Sequence, residues 1–267
     1  MTTTEMKAKK PDKFVLYMKS VQDAIAEVDF LTRVYRQMRK KEPRVLREDF
    51  CGTAAVTCEW VQRGRDRRAY GIDLDKPTLQ WGEKRHVSAL GDMSSRVKLI
   101  NGDVLDKHGF KADVVAALNF SYFIFKERQI MLQYAKGIRS SLAKDGLFVL
   151  DIFGGPDAQI EESEETDHGH FIYVWDQASY NPVNGHIKCH IHFKLPDGSM
   201  MRKAFTYDWR LWTLPEMTDL LKEAGFRSVD VYWEGTDPET GAGNGVYRHS
   251  QKGDDSVSWI AYIVAAK

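Results

Sequence analysis

The chain has 267 residues, with 38 Lys plus Arg against 38 Asp plus Glu, 43% hydrophobic and 12% aromatic residues. That apolar content can bury a core and excludes wholesale disorder, while a formal charge of zero gives no global attraction to nucleic acid or to an acidic membrane. The longest apolar run, Trp259 to Ala266, is too short to span a bilayer, the first ten residues hold no apolar leader-like stretch, and Cys51, Cys58 and Cys189 form no C-x-x-C pair, so a reduced, cytoplasmic protein without a membrane partner is expected.

Asp12 to Lys41 reads as helix in two pieces, with Val21, Ile25, Val28, Leu31, Tyr35 and Met38 recurring every three or four residues until Pro43. A strand follows at Val45 to Asp49, then a helix from Thr53 that Gly64 can cap. The next strand, Ala69 to Leu74, leads into a helix that Asp75 can N-cap, with Pro77 in its first turn. Further strands are predicted at Val97 to Ile100, Val114 to Leu118 and Leu147 to Ile152, with a helix from Lys126 to Leu142. Five strands with crossovers in this span imply a parallel, doubly wound sheet.

Beyond Phe153 the texture changes. Glu161 to His170 is polar and acidic and reads as an exposed loop; strand-like runs follow at Phe171 to Ser179, His186 to Leu195 and Met200 to Trp209, separated by Asn184-Gly185 and Asp197-Gly198 turn signals. Thr213 and Glu216 form a capping box for a helix that ends at Gly225. Strands at Val229 to Trp233 and Val257 to Val264 flank a Gly-rich loop from Glu234 to Asp255. The expected organisation is a single domain: N-terminal helices at 1–42, a core at 43–155, an antiparallel insertion at 156–212, and a last helix and two strands at 213–267.

In an open parallel sheet the ligand sits outside the carboxyl ends of the strands. Here those ends are polar in succession: Glu48 and Asp49, Asp73, Asp103, Asn119 and Asp151. Unpaired carboxylates in a cleft are costly, so a polar ligand is expected to satisfy them. Asp73 lies 21 residues beyond Gly52, the spacing at which an acid after the second strand accepts a ribose diol. The turn Phe50-Cys51-Gly52-Thr53-Ala54 has one glycine where a pyrophosphate loop needs three, which favours a phosphate-free adenosine ligand over a dinucleotide.

Leu46 to Ala54, Tyr70-Gly71-Ile72-Asp73-Leu74, Asn101-Gly102-Asp103 and Gly146 to Asp151 together resemble the ordered motifs of the class I S-adenosylmethionine-dependent methyltransferases, small-molecule type. The likeness covers residues 45–153, and Ala224-Gly225-Phe226 with the last two strands resembles the family's usual ending. It implies a Rossmann-like, mostly parallel seven-stranded sheet with an antiparallel β insertion and an N-terminal helical lid. It also implies S-adenosyl-L-methionine as cofactor, with S-adenosyl-L-homocysteine as product. Glu48 and Gly52 then match positions near the methionine moiety, Asp73 the ribose acid, and Asp103 with Val104 the adenine contact; Asp49, Cys51, Thr53, Leu74 and Asn119 complete the expected cofactor set. Phe50 and Ala54 stand where the family usually has glycines, and Arg47 and Asp49 where it has apolar strand residues.

Asn119-Phe120-Ser121-Tyr122 occupies the place of an Asn-Pro-Pro-Tyr type motif in amine-directed members, without the prolines. By that likeness Asn119 and Tyr122 are the candidate catalytic residues, Asn119 accepting an amine N–H and Tyr122 orienting it; otherwise Asn119 lines the pocket. The insertion is rich in aromatic residues, half of them core by alternation and the rest available to wall an acceptor pocket. Trp175, Trp212 and Arg210 there, with Tyr17 and Gln22 on the first helix, are candidate substrate contacts. His186, His190 and His192 share one strand face, which is more often solvated or pocket-lining than metal-binding, and no metal is expected. The basic clusters at Arg36 to Arg44 and Arg63 to Arg68 read as solvated helix ends. The leading expectation is methyl transfer to a small-molecule acceptor. Methylation of RNA or protein, and nucleoside binding without catalysis, stand as alternatives. No nucleic-acid partner is expected, and the oligomeric state, a homodimer included, is open.

Overall fold

The computed structural model describes residues 11–240 and 243–267; the first ten residues, read above for the absence of a leader, lie outside the described residues. The elements run α1 (Lys13–Ser20), α2 (Ala24–Arg39), β1 (Val45–Asp49), α3 (Ala55–Gln62), β2 (Arg68–Asp73), α4 (Lys76–Gly82), β3 (Val97–Asn101), β4 (Ala112–Ala117), α5 (Arg128–Ser141) and β5 (Leu142–Gly154). Then come β6 (Ser163–Asp167), β7 (Ile172–Asn181), β8 (His186–Lys194), β9 (Met200–Arg210), α6 (Leu214–Glu223), β10 (Ser228–Thr236), β11 (Gly243–His249) and β12 (Trp259–Ala266). The main sheet has the order β11-β10-β12-β5-β4-β1-β2-β3, parallel from β5 to β3 and antiparallel at the other end. Eight strands replace the expected seven because β11 forms inside the Gly-rich loop, pairing with β10 from Tyr232 opposite His249 to Thr236 opposite Gly243. A second, antiparallel sheet has the order β6-β7-β8-β9.

Strand alternation divides the core in two. Leu147 and Val149 of β5, Leu46 of β1 and Val114 and Ala116 of β4 pack against Val28, Leu31 and Val34 of α2 and Val56 and Trp60 of α3. Phe148, Leu150 and Ile152 of β5 and Val115 and Ala117 of β4 face the other way, onto Met131, Tyr134 and Ile138 of α5 and Leu220 and Leu221 of α6. The same parity governs the polar strand ends. Glu48 and Asp151 fall on the α2 side, Arg47 and Asp49 on the α5 side.

The expected stripe of α2 shifts by one face. Asp23 accepts the amides of Ile25 and Ala26 and starts the helix there, so Val21 precedes it, Ile25 is exposed, and the buried face runs Glu27, Val28, Leu31, Val34, Tyr35. The acidic run is not a loop. Ser163–Asp167 pairs with β7 as an exposed edge strand, and its charges keep that open edge from pairing further. The capping box of α6 forms as predicted, Thr213 Oγ1 accepting from the Glu216 amide and Glu216 from the Thr213 amide.

Candidate functional site

Going from β1 to β2 and β3 the chain winds one way, and β4 and β5 lie on the other side of β1, so the switch point falls between β1 and β4. The turn after β1 is bent by three consecutive-region residues in left-handed backbone: Phe50 at φ 57°, Gly52 at 53° and Ala54 at 61°. Two of these are not glycine, and each costs about 1–2 kcal/mol that its surroundings must offset. The offsets are visible. Ala54 N–H donates to Cys51 O at 2.7 Å, Cys51 N–H to Ile72 O at 3.0 Å, and Gly52 N–H to Asp73 Oδ2 at 2.8 Å. Gly71 lets β2 run close beneath, since a Cβ there would lie 2.8 Å from Cys51 Sγ. The loop therefore holds left-handed backbone at Phe50 and Ala54 without glycine there.

Asp73 also takes the Asp75 amide on Oδ1 at 2.8 Å, so it braces the turns after β1 and β2 together; burial raises its pKa. Asp75, the predicted cap, bonds the Thr78 hydroxyl at 2.8 Å instead of a backbone amide. Leu74 beyond it is 66% exposed, an apolar platform at the strand end. Asp103 Oδ1 accepts the Leu105 amide at 2.9 Å, and buried Val104 offers its carbonyl to Arg47 at 2.8 Å. Thr53 is buried, with its carbonyl 2.9 Å from His86 Nδ1.

Glu48 and Asp49, predicted together, part company. Glu48 is buried on the α2 side, accepts the Thr57 amide at 2.8 Å and the Thr57 hydroxyl, and is pushed by burial up to about 8. Asp49 points to the opposite face, where Arg47 grips it with bonds of 2.6 and 3.1 Å and Tyr134 donates its hydroxyl at 2.8 Å. Asp49, expected in the cofactor set, thus has its carboxylate engaged as a core ion-pair partner on the face away from Glu48. The pair also explains both departures from an apolar β1.

Beside this edge lies a cavity of about 530 Å³, bounded by the tips of β4, β5 and β12, by α1 and α2, and by the inner face of the second sheet. Tyr17, Asn119 and Trp175 line it as expected, with Tyr173, Tyr207 and Trp209 beside them, and β11 adds Tyr247. The Tyr17 and Tyr207 hydroxyls share a hydrogen bond. Asp151 sits at its floor and accepts the amides of Asn119 at 2.7 Å and Phe120 at 2.9 Å. Both residues are left-handed, at φ 55° and 56°. Proline supplies no N–H and cannot reach that φ, so position 120 excludes the first proline of an Asn-Pro-Pro-Tyr pattern. Burial lifts Asp151 to about 7 against the opposing pull of those two amides.

Three predicted contacts fall elsewhere. Tyr122 is fully buried and donates to Asp151 O at 2.8 Å, so it secures the loop and does not reach the cavity. Arg210 points away because alternation gives the cavity Tyr207 and Trp209; it bonds Lys126 O at 3.1 Å and Glu216 at 2.8 Å. Trp212 lies beneath the Arg210 guanidinium at 3.9 Å, buried, with Nε1 donating to Phe125 O. Gln22 sits half-buried between the cavity residues Val21 and Asp23. His190 bonds Thr206 Oγ1, and His192 bonds Asp176 and the Lys203 amide, so both rings serve the sheet; no metal-holding group of His, Cys, Asp or Glu occurs among the described residues.

The residue missed from sequence is Glu27. It lies on the buried face of α2, and Leu31, Val34 and Tyr35, at i+4, i+7 and i+8, are its signal: a carboxylate inside an apolar stripe.

No family model matches the chain, and no curated protein is similar to it in sequence. Among solved structures it superposes on an S-adenosylmethionine-dependent methyltransferase from Clostridium acetobutylicum with a TM-score of 0.70, at 15% identity, over 95% of this chain and 97% of that one. The aminopentose methyltransferase CalS10 from Micromonospora echinaspora matches at 0.67 and 15% identity, over 97% and 98%. The sugar N-methyltransferase KedS8 from a Streptoalloteichus species matches at 0.64 and 16%, over 100% and 97%. At these identities the likeness is one of fold, extending across the whole length, insertion included. Among the described residues no helix is long and apolar enough to cross a membrane.

Proposed function

We propose that this chain is an S-adenosylmethionine-dependent methyltransferase acting on a small molecule held in the cavity. The observation that carries the reading is the bracket at the switch point: Asp73 holds the Gly52 amide across the β1 turn, with open space above Gly52, where an added Cβ would meet only Thr78 Cγ2 at 3.9 Å. These residues fit the cofactor. Asp73 would take the ribose, exposed Leu74 would lie against the adenine, Asp103 and Val104 would border it, and Gly52 with Glu48, Cys51 and Thr53 would form the floor of the methionine end. When bound, the cofactor supplies a sulfonium-activated methyl group and its own leaving group.

What remains for the chain is to align the acceptor and exclude water. Asn119, fixed in place by Asp151, lines the cavity on the β4 side, next to the switch point, and the aromatic wall of the second sheet closes it from above. Two of the fold neighbours are named for sugar substrates, which supports a small acceptor. A cavity lined by carboxylates argues against a phosphate-bearing polymer in it. Calorimetry tests the cofactor: S-adenosylhomocysteine should bind tightly and NAD weakly. Incubating the protein with methyl-labelled cofactor and a metabolite extract should give a labelled small product by mass spectrometry. Preferential NAD binding, or label only in polymer, would overturn the reading.

A further inference from the structure

We infer that the acceptor is an amine on a compact apolar-faced body, that it enters as its ammonium, and that Glu27 is the carboxylate that pairs with it and takes its proton, so that the neutral nitrogen bonds to the methyl carbon as the carbon–sulfur bond breaks and the thioether leaves; this rests on the methyltransferase reading and names the substrate class of the same cavity. A neutral molecule overall, the protein concentrates one sign here. Asp23, Glu27, Asp151, Asp157, Glu162 and Glu164 all line the cavity, and the described lining residues include no Lys, Arg or His. Low-dielectric walls focus such a field on an entering cation and repel an anion.

Acidity alone does not define a site, and Glu27 adds the independent observation. It is 9% exposed, and its Oε2 is buried without any hydrogen-bond partner. Its neighbours are differently placed. Asp23 caps α2 and Asp151 holds two amides, so each already has its donors. An unpartnered buried carboxyl is costly, and removal of its solvation lifts its pKa well above the ordinary value, with the Asp151 charge adding to the shift. An ammonium brings both the missing donors and the missing counter-charge. Around it, Tyr17, Trp175, Tyr207 and Tyr262 present the ring surfaces on which a cation and its apolar carrier are held. A carboxylate or phosphate acceptor would meet only repulsion, and an alcohol would leave Glu27 without a counter-charge.

The test uses the full chain with saturating S-adenosylhomocysteine and three probes of one size: cyclohexylamine, cyclohexanol and cyclohexanecarboxylate. Binding is followed by fluorescence of Trp175 and Trp209, which stand in the wall. The amine should bind about tenfold or more tighter than the alcohol, and the carboxylate weakest. Glu27→Gln should erase most of that preference while alcohol binding and S-adenosylhomocysteine affinity stay within about twofold. Equal affinity for amine and alcohol, a preference for the carboxylate, or no saturable amine binding overturns the proposal, and the wild-type series decides this even if the variant does not fold. A variant that loses S-adenosylhomocysteine instead of amine assigns Glu27 to the cofactor and overturns it too. The two readings fail separately: a wild-type chain that binds no S-adenosylhomocysteine defeats the methyltransferase reading, whereas the probe series run without it still reports on the cation site.

Discussion

Asp73 takes one amide on each carboxylate oxygen, Gly52 on one side and Asp75 on the other, so a single side chain sets the spacing of the two loops that would receive the cofactor. Asp73→Ala should therefore weaken S-adenosylhomocysteine binding by about 1.5–3 kcal/mol, the loss expected for hydrogen bonds to a charged group. Calorimetry on the pure variant reads this directly, and unchanged affinity would remove Asp73 from the site. Arg47 and Asp49 make the complementary case. Their bidentate pair is almost completely buried, and Tyr134 and the Val104 carbonyl complete its bonding. Arg47→Met would leave Asp49 in the core without its counter-charge and should cost about 3–5 kcal/mol in urea unfolding, whereas Arg47→Met with Asp49→Leu should recover a good part of it.

Among the elements, α1 depends on its neighbours for its place. Eight residues are too few to hold a helix alone, so its position comes from tertiary contacts. Phe14 packs on Trp81 of α4 at 5.3 Å and on Phe205 of β9 at 6.0 Å, Tyr17 meets Phe205 at 4.9 Å, and Asp12 accepts from Trp81 Nε1 at 2.6 Å. The helix thus ties the insertion to α4 and covers the cavity with Tyr17 and Ser20. Deleting residues 1–20 should leave the cooperative unfolding of the main sheet in place, while turnover of the labelled acceptor falls because water enters. Normal turnover by the truncated chain would show that α1 is no lid.

For the molecule as a whole, the buried acids at the strand tips set the pH response. Burial raises Asp151 to about 7 and Glu48 to about 8. Both bind their protons more tightly folded than unfolded, where carboxyls titrate near 4. Their contribution to stability is thus complete below about pH 4 and is lost as pH rises through about 7 and 8. The melting temperature of the ligand-free protein should fall between about pH 4 and 8 and level off above that, and Asp151→Asn should flatten the part between about pH 4 and 7. A bound cation should oppose the same fall, because it favours the charged carboxylates. A melting temperature that climbs across this range would contradict the burial argument.

The strands, their order along the chain and the strand-end acids were legible in the sequence because each depends on local chemistry: apolar runs, capping residues, and the fixed spacing from Gly52 to Asp73. Glu48, Cys51, Gly52, Thr53, Asp73, Leu74, Asp103 and Val104 duly lie along the ends of β1, β2 and β3. Strand parity was legible too, yet which face of each strand meets the ligand is a matter of packing; α2 covers one face and α5 the other, which divides Glu48 from Asp49. The edge strands β6 and β11 were hidden because their charged and Gly-rich segments have little strand preference of their own and are held by ladders to β7 and β10. Glu27 shows the limit most sharply. From sequence it is one acid in a helix; only tertiary structure brings α2, β5 and the second sheet together and leaves its carboxyl buried, without a donor, facing the cavity.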